Sequence, residues 1–96
     1  MHRDEVLHLL SSRRAEIDAL GVKSLAVFGS TARDSAGPTS DVDVLVEFDG
    51  PATFDRYMNL RQYLETLLKQ PIDLVTRRAL RREIRAQIER EAIRVT

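Results

Sequence analysis

The chain has 96 residues, 43% of them hydrophobic and 31% charged, with no cysteine and a formal net charge of zero. That length holds one domain, residues 1–96, around one core. The missing thiols exclude disulfides, a cysteine nucleophile and a Cys-ligated zinc, and the two histidines, His2 and His8, lie too near one end for a His-rich metal centre.

No apolar run approaches a membrane span and the N-terminus lacks a signal-like segment, so the expected location is the cytoplasm, with no membrane partner. The charges are unevenly divided. Residues 1–50 hold nine acids against five bases, and residues 51–96 hold six acids against ten bases. Whole-molecule attraction to nucleic acid is therefore weak, while a local basic face is expected toward the C-terminus.

From residue 3 to about 20, Val6, Leu9, Leu10, Ile17 and Leu20 recur at helical spacing, and Gly21 stands where a helix C-terminal glycine belongs. Ser24-Leu-Ala-Val-Phe28 is an apolar run too short for a helix and reads as a buried strand ended by Gly29. A short helix is expected over Thr31 to Asp34, followed by a loop over Ser35-Ala-Gly-Pro-Thr39. Asp41 to Phe48 reads as a strand. Its period of two sends Asp41 and Asp43 to one face and Val42, Val44 and Val46 to the other.

Asp49-Gly50-Pro51 is a turn. Thr53 to Leu68 places Tyr57, Leu60, Leu64, Leu67 and Leu68 at helical spacing, with Phe54 and Met58 alongside. Ile72 to Val75 is a third strand. Leu80, Ile84, Ile88 and Ala92 mark a last, arginine-rich helix, and Ile93-Arg94-Val95 a short edge strand. This alternation predicts a mixed α/β layer fold, a sheet of three to four strands flanked by helices.

Three segments carry the chemistry. Gly29-Ser30-Thr31-Ala32-Arg33 closes the first strand, Ser40-Asp41-Val42-Asp43 opens the second, and Asp73 lies within the third. A glycine at a strand end lets a phosphate approach the backbone, and Ser30 offers a hydroxyl. Two carboxylates on one strand face repel, and a hard divalent cation relieves that repulsion. Each segment has a plainer alternative. Ser30 would serve as a helix N-cap, Asp41 and Asp43 as solvated surface acids, and Asp73 as an ion-pair partner of Arg77 or Arg78. An unpaired carboxylate inside a buried strand is costly, and this favours a shared cation at Asp73. No Gly-Lys-Ser/Thr triplet follows Gly29, so the turn is not a P-loop.

Taken together, Phe28-Gly-Ser-Thr-Ala-Arg33, Ser40-Asp-Val-Asp-Val44 and Pro71-Ile-Asp-Leu-Val-Thr76 resemble the signature of the polymerase-β-like nucleotidyltransferases, in their minimal (MNT, MntA-like) branch. The resemblance runs from about Leu7 onward. It implies an α+β fold with a mixed sheet, ATP as substrate and Mg²⁺ (with Mn²⁺ as the alternative) at the strand ends. It implies further that Asp41, Asp43 and Asp73 are catalytic and hold metal, and that Asp73 helps deprotonate the attacking hydroxyl. Gly29 and Ser30 would contact the β- and γ-phosphates. Arg33 matches the motif arginine, to support charge near the phosphates or to anchor the loop. Asp34 stands where many members carry glycine.

The branch implies a HEPN-domain toxin as partner, with transfer of AMP to a hydroxyl, expected to be a tyrosine, of that toxin. Phe54, Tyr57 and Met58 are candidates for that contact, with core packing as the plainer role of each. Two other functions stand beside this one. An antitoxin could neutralise its toxin by binding alone, although three converging acids have no part in that. A small nucleic-acid-binding protein would use the C-terminal arginines, but Glu83, Glu89 and Glu91 are interleaved and aromatics are few. Glycosyltransferases share an Asp-x-Asp metal motif but need much more chain.

Overall fold

The computed structural model describes residues 2–34 and 41–95; the expected loop over residues 35–39 and Ser40 of the acidic motif lie outside the described residues. In chain order the elements are α1 (Arg3–Ser12), α2 (Arg14–Ala19), β1 (Val22–Val27), α3 (Gly29–Ala32), β2 (Val42–Phe48), α4 (Phe54–Leu68) and β3 (Ile72–Thr76). A 3₁₀ turn (Arg77–Ala79), α5 (Arg82–Glu91) and β4 (Ile93–Arg94) follow. The strands form one mixed sheet in the order β3-β2-β1-β4. β1 is antiparallel to β2 and β4, and β2 is parallel to β3.

The two faces of this sheet have different company. On one face Leu25, Val27, Val44, Val46, Ile72 and Leu74 are buried against Val6 and Leu10 of α1, Ile17 of α2 and the Leu60–Leu64–Leu68 stripe of α4. Val22 joins them because the β1–β2 register shifts between Val22 and Ser24, a bulge that leaves Lys23 outward. The opposite face carries Ala26, Asp43, Leu45, Glu47, Asp73 and Val75 by strand alternation. There, between β1, β2 and the C-terminal end of α5, lies a cavity of about 300 Å³. All the sequence-predicted acids fall on this second face.

The expected helix over residues 3 to about 20 is two helices, broken at Arg13. Ser12 supplies the physical reason. Its hydroxyl donates to the Leu9 carbonyl at 2.7 Å, a local bond that competes with the helical ladder and bends it. The break lets α2 turn Ile17 into the same core as Leu10. α4 follows the pattern closely: the Thr53 hydroxyl caps it by accepting from the Arg56 amide, and Lys69 closes it in the left-handed region.

Tyr57 is half-buried and donates its hydroxyl to the Leu74 carbonyl at 2.6 Å, so it clamps α4 to β3. Phe54 is 76% exposed and Met58 is also exposed, and neither is needed for the core. α5 contains no fully buried residue. Arg77 holds it near the sheet by bridging Glu47 of β2 at 3.3 Å and Glu89 of α5 at 2.6 Å. Among the described residues no helix is long and apolar enough to cross a membrane.

Candidate active site

The site is assembled where the C-terminal end of β1 meets the N-terminal ends of β2 and β3. β2 and β3 run parallel in a register that sets Asp43 directly beside Asp73. Paired residues on parallel strands share a face, and Asp41, two residues before Asp43, falls on that face too. Sequence-distant carboxylates are thereby drawn together. Burial pushes the Asp43 carboxyl above its ordinary value, the Asp73 charge raises it further, and Asp41 adds a smaller push. Ser30 opposes these through its hydroxyl and backbone hydrogen bonds to the carboxylate.

Gly29 permits this packing. Its φ is +58°, and a Cβ there would stand 2.6 Å from Asp43 Oδ2. Only the residue without a side chain brings the β1–α3 turn this close to the acid. Ser30 follows and donates its hydroxyl to Asp43 Oδ2 at 3.3 Å. It is not the N-cap of α3: that position is Phe28, which has no side-chain cap.

Asp73 differs from its sequence expectation in one respect. It lies on an edge strand and is exposed, so its presence there carries no burial penalty. Among the described residues it forms no salt bridge with Arg77 or Arg78, and Arg77 is already engaged by Glu47 and Glu89. Arg33 Nη1 pairs with Glu91 Oε2 at 3.4 Å, which ties the end of α3 to α5.

Asp34 occupies a left-handed conformation at φ +57°, the backbone setting that suits glycine. Its carboxylate accepts the Arg3 amide at 2.9 Å, so it caps α1 from a distance of 31 residues. Sequence reasoning assigned no role to this contact or to buried Thr31, whose Oγ1 accepts the Asp43 amide at 3.0 Å. The signal for Asp34 was present, an acid in a glycine position. For Thr31 no local signal exists.

The donor set suits a hard divalent cation: three carboxylates on one sheet face, one of them raised by burial and then by its neighbours' charge. Among the described residues no three acidic or histidine side chains are already gathered as a closed metal-holding group. Mg²⁺ is usually held by one or two carboxylates plus phosphates of the substrate.

Comparison with known proteins agrees with this architecture. Residues 9–95 match the nucleotidyltransferase domain family. The protein adenylyltransferase MntA of Thermococcus cleftensis is 34% identical over 93 residues, covering 96% of this chain and 94% of that one. A solved structure of a candidate minimal nucleotidyltransferase superposes with a TM-score of 0.79 at 36% identity, over 97% of this chain and 95% of that one. At 17% identity and a TM-score of 0.67, the fold is shared with a complex of tri-AMPylated Shewanella oneidensis HEPN toxin and MNT antitoxin, over 94% of this chain and 71% of that one.

Proposed function

This chain belongs to the nucleotidyltransferase domain family, in its minimal branch, and on that premise we propose that it transfers AMP from ATP to a tyrosine hydroxyl of a partner HEPN toxin as its antitoxin. The observation that carries this reading is the register of Asp43 beside Asp73, with Asp41 on the same face, at the Gly29-Ser30 turn. The Thermococcus relative bears the name of a protein adenylyltransferase, and the Shewanella complex holds an AMPylated HEPN toxin. Both support the choice of reaction and partner.

Asp41, Asp43 and Asp73 would hold Mg²⁺. When bound, the ion neutralises phosphate charge and favours the attacking and leaving oxygens. The chain's own residues do the rest. Gly29 and Ser30 bind the β- and γ-phosphates, with Ser30 exchanging its Asp43 contact for phosphate. Arg33 adds positive charge on giving up Glu91. The partner's tyrosine oxygen attacks the α-phosphorus as its proton passes to the Asp73 carboxylate. The bond to the β-phosphate oxygen breaks and pyrophosphate leaves. In this reading the partner presents its own hydroxyl to the site.

The test is intact mass spectrometry of a HEPN-domain protein from the same genome, incubated with this chain, ATP and Mg²⁺. A gain of one or more AMP units, absent with Asp41→Asn, is the expected result. A stable complex with no gain in mass would replace the reading with neutralisation by contact alone.

A further inference from the structure

Asp43 is held by more than its strand. At the hydrogen-bonded positions of a regular antiparallel pair, two opposed residues exchange both of their backbone hydrogen bonds. Phe28 and Asp43 make only half of that exchange: the Phe28 amide donates to the Asp43 carbonyl at 3.0 Å. The return bond is absent because the Phe28 carbonyl accepts the Ala32 amide at 3.2 Å, as the chain winds into α3. The Asp43 amide would be orphaned in a partly buried position, at a cost comparable to a lost hydrogen bond.

Thr31 fills the gap. Its Oγ1 accepts the Asp43 amide at 3.0 Å. At 3% exposure, it is the sole buried polar side chain among the described residues. The Ser30 hydroxyl meanwhile reaches Asp43 Oδ2 at 3.3 Å. The amide, carbonyl and carboxylate of one acid are thus each gripped by the Phe28–Thr31 turn. A hydroxyl with a β-carbon branch is suited to this place. The oxygen substitutes for a strand carbonyl, and the branched side chain is buried with it.

We propose that Thr31 is a positioning residue for nucleotidyl transfer, which locks the start of β2 to the β1–α3 turn so that Asp43 stands aligned with Asp73 before nucleotide arrives. This rests on the nucleotidyltransfer reading above. Thr31 touches neither substrate nor metal in that reading and acts through Asp43.

The test compares Thr31→Val, which keeps the shape and removes the acceptor, with Thr31→Ser, which keeps the acceptor. Three quantities are read on the whole chain: amide hydrogen exchange at Asp43 without ligand, Mn²⁺ affinity of the protein with the metal alone, and kcat and KM for AMP transfer. In Thr31→Val the Asp43 amide should exchange at least about tenfold faster. Its kcat should fall by about tenfold or more, with KM for ATP nearly unchanged, because Gly29 and Ser30 remain in place. Thr31→Ser should restore both. A Val variant that keeps Asp43 protected, or that loses protection with kcat and Mn²⁺ affinity intact, overturns the proposal. If the wild-type chain transfers no AMP to its partner, the functional reading fails separately. Mn²⁺ affinity then decides the positioning role, and equal affinity in wild type and Thr31→Val rejects it.

Discussion

Asp43 and Asp73, 30 residues apart in the chain, are direct neighbours across the parallel β2–β3 pairing. Burial and this neighbour hold the Asp43 carboxyl above its ordinary value, so at neutral pH its charge is carried against the fold. Asp43→Asn should therefore abolish AMP transfer and yet raise the melting temperature of protein free of divalent ions, by roughly 1–3 °C. Calorimetry in chelator, paired with the mass assay, checks both halves. A variant that retains transfer would remove Asp43 from the catalytic set.

Gly29 should tolerate nothing larger. A Cβ there meets Asp43 Oδ2 at 2.6 Å and the backbone sits at φ +58°. The left-handed conformation alone costs a non-glycine residue roughly 1–2 kcal/mol. Gly29→Ala should lose at least that much stability in urea titration and lose transfer as Asp43 is displaced. Wild-type stability in this variant would show that the turn has another accessible conformation.

Asp34 tests what a carboxylate adds at a left-handed position that glycine would also tolerate. Asp34→Asn keeps an acceptor oxygen and tolerance of the left-handed backbone. Asp34→Gly keeps only the tolerance, and Asp34→Ala keeps neither. Melting temperatures at pH 7 should fall in that order. The Arg3 amide, helped by the charges of His2 and Arg3, holds the Asp34 carboxyl below its ordinary value. With the folded value depressed, its stabilisation is present above about pH 4 and is lost as the pH falls through the lowered folded value. The gap between wild type and Asp34→Ala should narrow accordingly from pH 6 to pH 3. A gap that stays constant would show that the carboxylate is not the cap.

Tyr57 and Phe54 should separate cleanly although they are three residues apart on α4. Tyr57→Phe removes the hydrogen bond to the Leu74 carbonyl and should cost about 0.5–1.5 kcal/mol. Phe54, 76% exposed, should be replaceable by alanine within about 0.5 kcal/mol. If Phe54 contributes to the partner surface, Phe54→Ala should instead weaken the complex, as read by titration calorimetry. Equal effects of the two substitutions on stability would contradict the packing described for α4.

Much of this architecture was legible in the chain because the relevant signals are local. The leucines of α4 recur at a spacing that only a helix aligns, and the alternation that begins β2 sets Asp41 and Asp43 on one face whatever the strand order. Errors arose where a local pattern had two outcomes. The apolar spacing from Val6 to Leu20 is helical throughout, but the break at Arg13 depends on a serine hydroxyl choosing a carbonyl. Asp73 read as a costly buried acid because its flanking residues are apolar. Its strand lies at the sheet edge with one face open, and edge position is a property of strand order.

The sequence by itself determined most of the elements apart from the break at Arg13, the turn chemistry around Gly29, the shared face of two acids and the family resemblance, since each depends on residues within a few positions of one another. Tertiary structure alone decided that Asp43 meets Asp73, that Gly29 has no room for a Cβ, and that Thr31 replaces a missing strand carbonyl. It also decided that Asp34 caps a helix 31 residues away. These are contacts between segments brought together by strand pairing. Register is set by the whole buried face at once, so no single stretch of sequence encodes it.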